Sequence, residues 1–404
     1  MKDLQLKKFS FLALLLLVVL GLSGCESMPN KGVGVLDNAI QQYTAGMELL
    51  EDGKMQQADK KFDLSLSLID TYAPAMMGKS IVVAHKAIAQ DDAAHRKVDE
   101  KASLKWLARA DKSSKSPEDR FIFHVSSIRV YTLLQTNRWL KKASVHHKFA
   151  LDADDLNPSG LPYYKNSYAA DYYMAVAEYK NDFRRAEPLL QKIVGSRNGG
   201  KWIKKSNKMY EKVQKISRAA SYYTLSGVAL KIAVLDVVSR GDVAALLVSE
   251  LDIDKLFAGR IRVKSQEKKA AFTPADMLNH PFRDEVSTIM KWNIRGLAPI
   301  YDETTRANLF KPDLNVNRKE LALMLEDVLV RITGQEDIAT QNIGHNSPFP
   351  DVEKSVGWFN AIMTMTTRGL MKSELSGEFR PNDPVTGADL LLAVVKLRNV
   401  IKVH

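Results

Sequence analysis

Apolar side chains recur at helical spacing from Asp37 onward, with almost no strand-like alternation. The first series is Ile40, Tyr43, Met47 and Leu50. After a turn at residues 51–53, the second series is Ala58, Phe62, Leu66 and Ile69. Spacings of three and four residues place such side chains on one face of an α-helix. Because two helices joined by so short a turn lie antiparallel and bury facing apolar stripes, the pattern predicts a helical hairpin.

This hairpin resembles a tetratricopeptide repeat. Gly46, Ala58 and Phe62 stand at the small, small and aromatic positions of that family, and the segment DTYAPA at 70–75 is similar to its inter-repeat turn. Weaker copies of the pattern follow along the chain. The resemblance implies a solenoid of stacked hairpins over residues 37–218, because one repeat cannot bury its own apolar face.

Three apolar helices in the C-terminal half begin with the same short pattern. They read SRGDVAALLVSEL at 239–251, NRKELALMLEDVL at 317–329 and TGADLLLAVVKL at 386–397. A small polar residue with an acidic residue three positions later predicts a capping box, and the acidic group also suits the positive end of the helix dipole. Capping does not explain Arg240 and Arg318, which stand one residue inside the helix start, where the dipole mildly disfavours a cation.

The flanks of the last copy follow a fixed order of elements. Residues 349–397 contain a Phe-Pro-Asp start, then Trp358 and an apolar helix, then Gly369-Leu370. The segment Phe379-Arg380-Pro381 then precedes the helix head. This order resembles an S-layer homology repeat closely.

Two earlier segments carry parts of the same order. The second copy, at about 272–329, has Phe310-Lys311-Pro312 ahead of its helix head, and the third, at about 219–251, lacks that element. Taken together, the patterns predict a mainly α fold. A helical-hairpin solenoid would be followed by a three-repeat helical S-layer homology-like domain over 219–404.

The resemblance to S-layer homology repeats also implies a binding site. In that family, the arginine at the helix head faces a groove between repeats and binds an acidic group on a cell-wall glycan, often a pyruvyl ketal. A guanidinium suits a carboxylate because it donates two parallel hydrogen bonds. Because the last head has Gly387 at this position, we expect at most two working grooves. The predicted glycan-binding residues are Arg240, Arg318, Asp242, Glu320 and Trp358, although core packing of the tryptophan is favoured over sugar stacking.

Residues 1–24 are typical of a bacterial leader. A short basic start precedes the apolar run FSFLALLLLVVLGLSG, which is short for a membrane span and ends in small residues. The tetrad Leu22-Ser23-Gly24-Cys25 resembles a lipobox, which implies a diacylated Cys25 at the mature N-terminus. An ordinary signal peptide or membrane anchor that happens to contain a cysteine is the alternative. Residues 25–36 would then form a lipidated tether, and Glu26 favours the outer membrane, facing the periplasm.

Composition limits the kind of partner. The chain has 404 residues, of which 45% are hydrophobic and 26% charged, enough for two or three globular domains. Its net charge of +11 favours a polyanion, but nucleic acid is not expected for an exported protein. Cys25 is the only cysteine, so no disulfide is predicted. The lysine-rich face over 201–215 has two interpretations, a solvated surface and a polyanion-binding stripe.

The sequence contains no cluster of residues typical of a catalytic or metal-binding site. His146 and His147 are adjacent, so on a helix they point in different directions, and no metal site is predicted. An enzyme such as a lytic transglycosylase would need a positioned general-acid glutamate. The sequence has no G-x-S-x-G, HExxH or phosphate-loop motif. We therefore predict neither catalysis nor a cofactor.

These features predict a non-enzymatic lipoprotein of the cell envelope. Lipid on Cys25 would hold the protein in a membrane, and the helical repeats would act as a spacer and a docking surface for envelope proteins. The C-terminal repeats would bind peptidoglycan or a wall-linked acidic polymer. The alternative is a helical-repeat scaffold or assembly factor whose S-layer homology repeats no longer bind glycan.

Overall fold

The computed structural model describes residues 34–153, 156–258 and 273–403. The fold is mainly α, as predicted, and the sheet in the described residues has two strands. The leader and the lipidation site at Cys25 lie outside the described residues. None of the helices in those ranges is both long and apolar enough to cross a membrane. The chain divides into two compact units between Tyr173 and Met174.

The first unit is built from successive helical hairpins. Its helices are α1 (Val35–Glu51), α2 (Met55–Leu68), α3 (Ala73–Ile88), α4 (Ala93–Ser113), α5 (Pro117–Leu134) and α6 (Trp139–Leu151). A 3-10 turn follows at Pro158–Gly160, and helix α7 (Tyr168–Asn181) contains the division between the units. The pairs α1–α2, α3–α4 and α5–α6 pack together, and α3 contacts both α2 and α5. The predicted helical-hairpin arrangement is thus confirmed.

Phe62 explains why the first hairpin needs small residues. Its side chain is fully buried. A β-carbon at Gly46 on α1 would lie 2.6 Å from the Phe62 ring, and one at Gly78 on α3 would lie 2.4 Å from it. The ring therefore fills a space between α1 and α3 that only glycines leave open. The assignment of this hairpin to the tetratricopeptide family stays a prediction.

The second unit contains the three helix heads. Its helices are α8 (Phe183–Val194), α9 (Lys201–Tyr222), α10 (Gly227–Ala233), α11 (Arg240–Leu251), α12 (Ile253–Ala258), α13 (Arg283–Trp292), α14 (Arg318–Thr333), α15 (Phe359–Thr367) and α16 (Gly387–Val403). Strands β1 (Ile300–Asp302) and β2 (Ala307–Leu309) pair antiparallel, and 3-10 turns lie at Ala275–Met277 and Glu336–Ala339. Helix α9 packs against both α8 and α16. The predicted domain boundary at residue 219 therefore falls inside α9.

Three buried valines join the three repeats in a closed ring. Val238, Val316 and Val385 each stand one residue before a helix N-cap. The Val238 N–H donates to the Val385 carbonyl, the Val385 N–H to Val316, and the Val316 N–H to Val238, each at 3.0 Å. This cycle places the heads of α11, α14 and α16 around one approximate three-fold axis. It supports counting the incomplete segment 219–251 as a repeat.

Candidate functional site

The heads of α11 and α14 carry the predicted capping boxes. The Asp242 N–H donates to Ser239 Oγ at 3.2 Å, and the Asp242 carboxylate accepts the Ser239 N–H at 2.8 Å. Glu320 and Asn317 exchange the same pair of bonds, at 3.1 and 2.9 Å. Both acidic groups thus stabilise their own helix starts. Their part in glycan binding stays a prediction.

Arg240 reaches across to the next repeat. Its guanidinium donates to three backbone carbonyls: Nε to Phe310 at 2.9 Å, Nη1 to Gly296 at 2.5 Å and Nη2 to Ala298 at 2.8 Å. The carbon at its centre lies 4.9 Å from the centroid of the Phe310 ring. The side chain is 6% exposed. Carbonyl acceptors of the fold thus engage all three nitrogens of Arg240, which explains this arginine without a ligand. Its part in glycan binding stays a prediction.

Arg318 makes the equivalent contacts but keeps one nitrogen free. Its Nε donates to the Phe379 carbonyl at 2.8 Å and its Nη2 to the Lys372 carbonyl at 2.5 Å. The Phe379 ring lies 4.6 Å from the guanidinium carbon. Its Nη1 has no hydrogen-bond acceptor among the described residues. Arg318 is also less buried than Arg240, so its guanidinium is both fixed and partly open.

Two aspartates hold the Phe-x-Pro turns against which these arginines rest. The Asp351 carboxylate accepts the backbone N–H groups of Phe379 and Arg380, at 2.9 and 2.6 Å. Asp276 does the same for the equivalent turn at residues 310–311, at 3.1 and 2.7 Å. The middle residue is left-handed in each turn, with φ of +58° at Arg380 and +54° at Lys311. The sequence signal for this role, which the predicted site residues do not include, is an aspartate within two residues after a proline at the start of each of these two repeats.

The third head has no room for an arginine. A β-carbon at Gly387 would lie 1.8 Å from the carbonyl oxygen of Ile232. The Gly387 N–H donates to the Leu235 carbonyl at 2.9 Å. The C-terminal end of α10 and the residues directly after it therefore occupy the place that a Phe-x-Pro turn occupies in the other two pairs. Gly387 departs from the family pattern because its neighbouring repeat lacks that turn.

A groove lies between the second and third repeats and is bordered by α9. It has a volume of about 230 Å³. Its basic lining residues are Lys215, Arg218, Arg318, Lys372 and Lys396, and its acidic ones are Glu211, Glu374 and Asp389. Leu321, Leu370, Met371, Val385 and Leu392 supply apolar surface. The third repeat therefore contributes to this candidate site although its own head carries no arginine.

The charges in the groove differ in how they are neutralised. Lys215 Nζ lies 2.6 Å from Asp389 Oδ1, so this pair is matched. Lys396 Nζ donates to the Gly369 carbonyl at 2.5 Å. Burial, followed by the charges of Lys372 and Arg218, lowers the pKa of Lys396 below its usual range. An anion in the groove would relieve this clustering of positive charge.

Trp358 lies outside the lining of this groove. It is half-buried and stands directly before α15. Lys319 Nζ lies 5.8 Å from the centroid of its ring, within reach of a cation–π interaction. The role of Trp358 in glycan binding stays a prediction.

The histidines of the first unit have different partners. His147 Nε2 lies 2.9 Å from Asp171 Oδ1, whereas His146 Nδ1 lies 2.9 Å from His124 Nδ1. Over the ranges that the structure describes, no group of three or more His, Cys, Asp or Glu side chains could hold a metal ion.

Comparison with known proteins identifies part of the second unit. Residues 348–391 match the S-layer homology domain family. The match includes the loop and the Asp389 head that border the groove. No curated protein and no solved structure matches the chain. An S-layer homology domain is a non-catalytic binding domain, and its presence indicates association with the cell envelope.

Proposed function

We propose that this protein is a non-enzymatic lipoprotein that tethers a membrane to peptidoglycan or to a wall-linked acidic polymer. The observation that carries the proposal is the groove between the second and third repeats, where Arg318 faces an excess of basic side chains. The lipobox at Cys25 supports the membrane end of the tether. The helical hairpins of the first unit would act as a spacer and as a docking surface for envelope proteins.

Arg318 has the chemistry that an acidic glycan requires. A guanidinium binds a carboxylate through parallel, charge-assisted hydrogen bonds, which are roughly twice as strong as neutral ones. Arg318 lines the groove, and its Nη1, which has no acceptor among the described residues, has donors available for a ligand. The contacts of Nε and Nη2 with Phe379 and Lys372 fix the side chain before a ligand arrives. Such pre-organisation reduces the loss of conformational entropy on binding.

Sedimentation with cell-wall sacculi of the producing bacterium tests the proposal. The full chain, purified in detergent, should co-sediment with the sacculi. Arg318→Gln should weaken binding about tenfold to a hundredfold, since a hydrogen bond between charged groups contributes about 1.5–3 kcal/mol. Arg240→Gln is the matched control, because it removes the arginine at the equivalent position of a head whose three nitrogens already bind carbonyls. It should leave binding per folded molecule unchanged.

Two results would decide against the tether. The wild-type chain could fail to sediment, or Arg318→Gln could bind as well as the wild type. Either result would favour the second candidate, a scaffold or assembly factor with repeats that no longer bind glycan. The observation that favours this candidate is that the Arg240 and Gly387 heads are both occupied by contacts within the fold.

A further inference from the structure

We propose that the groove contains a second anion-binding position, formed by Arg218, Lys372 and Lys396, and that its ligand carries two acidic groups. The inference rests on the proposed function and goes beyond it. It assigns binding residues outside the helix heads. One of them, Arg218, lies on α9, ahead of the segment that the sequence assigns to the repeats.

The three cations come from three different elements and line one cavity. Arg218 lies on α9, Lys372 on the loop after α15, and Lys396 on α16. None of them forms an ion pair within the described ranges. Lys215 lines the same groove but is neutralised by Asp389 at 2.6 Å. Apart from this pair, the lining has four cations, Arg318 and the three named above, and two carboxylates, Glu211 and Glu374. Positive charge is therefore in excess in the groove.

Unmatched like charges raise the free energy of the folded protein. Like charges that line one groove repel each other, and salt reduces this repulsion less where the groups are partly buried. Lys396 responds to this field: burial and the two neighbouring cations lower its pKa. Its Nζ is also held by the Gly369 carbonyl at 2.5 Å, so it does not turn freely toward solvent. A bound anion would offset the repulsion among these three cations. A surface that only contacts solvent gains nothing from holding them together.

The size and donor types of the groove restrict the ligand. Its volume of about 230 Å³ is smaller than the ~300–1,000 Å³ typical of pockets for drug-sized molecules. It therefore takes one part of a larger chain. The planar fork of Arg318 suits a carboxylate, and two lysines with an arginine suit a compact group with several anionic oxygens. The ligand class is a wall polymer with two acidic groups on one unit or on adjoining units.

A charge-matched pair of double variants tests the second position. Arg218 and Lys372 are both exposed, so Arg218→Gln with Lys372→Gln removes two charges without disturbing the core. Lys204→Gln with Lys208→Gln removes two charges from exposed positions on α9 that do not line the groove. Sedimentation of the full chain with sacculi should weaken at least tenfold in the first variant and less than threefold in the second. Circular dichroism should show the same folded state in both.

The outcomes separate this inference from the proposed function. In one outcome, the wild type binds, Arg318→Gln does not, and the Arg218/Lys372 variant binds like the wild type. This outcome contradicts the second anion-binding position but supports the proposed tether function. Equal weakening of both double variants also overturns it, because net charge alone would then explain binding. If the wild type does not bind sacculi at all, the proposed function is wrong, and the second position, which rests on it, is wrong as well.

Extraction of the sacculi identifies the part of the wall that carries the two acidic groups. Hydrofluoric acid cleaves phosphodiesters and removes any polymer attached through them, together with all of its acidic groups. If the ligand is such a polymer, extraction should abolish wild-type binding. If the ligand is part of the peptidoglycan, the difference between the wild type and the Arg218/Lys372 variant should persist. Equal binding of the two proteins before extraction contradicts the second position.

Discussion

Gly387 lies directly against Ile232: a β-carbon on the glycine would come within 1.8 Å of the Ile232 carbonyl oxygen. The contact joins the last repeat to the first. Because of this contact, the backbone of the first repeat leaves space only for glycine at the head of α16. The absence of an arginine there is thus a consequence of ring closure and does not by itself indicate a lost function.

Gly387→Ala should destabilise the second unit. The added methyl group cannot fit without moving backbone, and overpacking of this kind costs about 1–3 kcal/mol or more. Gly227→Ala is the matched control, because Gly227 also begins a helix but its β-carbon would meet no atom within 4 Å. Urea denaturation of both variants checks the prediction. Equal midpoints for the two would contradict the contact.

Asp351→Ala should destabilise the turn that supports Arg318. It removes the acceptor of two backbone N–H groups, and bonds to charged groups contribute about 1.5–3 kcal/mol each. Adding Arg380→Gly should recover about 1 kcal/mol, because glycine adopts the observed φ of +58° without strain. Asp284→Ala, at a largely exposed position, is the control. The thermal midpoints of the four proteins provide the measurement, and a double variant less stable than Asp351→Ala would argue against this explanation.

Arg240→Gln should destabilise the protein more than Arg318→Gln. Arg240 is 6% exposed and donates to three carbonyls, and breaking a buried interaction of a charged group costs about 3–5 kcal/mol. Arg318 donates to two carbonyls and is partly exposed, so about 1–3 kcal/mol is expected. Urea denaturation gives both values. The opposite order would mean that the number of carbonyl contacts does not set the stability of these heads.

The His124–His146 pair should make stability fall in mild acid. Burial lowers the pKa of both histidines to about 4, and for His124 the neighbouring His146 adds to the effect. Unfolded histidines titrate near 6.5. Between about pH 6.5 and pH 4 the unfolded chain therefore binds more protons, and the free energy of unfolding decreases as pH falls. The decrease is at most about 1.4 kcal/mol per pH unit for each histidine, and the partial exposure of His146 reduces it.

His146→Gln checks this prediction. It removes one of the two titrating groups, so the free energy of unfolding should vary less steeply with pH between 6.5 and 4. His95→Gln, which replaces an exposed histidine, should keep the wild-type slope. An unchanged slope in the His146 variant would show that the pair does not govern acid stability.

Local features of the fold could be predicted from the sequence because they depend on neighbouring residues. Capping boxes at Ser239 and Asn317 need only a spacing of three residues. The helical-hairpin pattern around Phe62 follows from periodicity and small residues. The S-layer homology segment was identified by its order of short motifs, and the match to residues 348–391 confirms it.

Features that depend on distant residues could not be predicted in this way. The acceptors of Arg240 lie 56 to 70 positions further along the chain, so no local spacing indicates them. Lys215 and Arg218 belong to a helix that periodicity assigned to the first domain. Only the packing of α9 on α16 brings them to the groove. The same packing would make a fragment that begins at residue 219 lose part of its candidate site.

The valine ring gives the two units different freedom to change in length during evolution. A linear stack of hairpins can gain or lose a member at its end, because each hairpin meets only its neighbours. In the ring of Val238, Val316 and Val385, every repeat is both first and last, since each valine donates to one neighbour and accepts from the other. Removing one repeat would leave an unpaired donor and an unpaired acceptor. A change in the number of repeats would therefore break the ring in the second unit, whereas a stack of hairpins can vary one hairpin at a time.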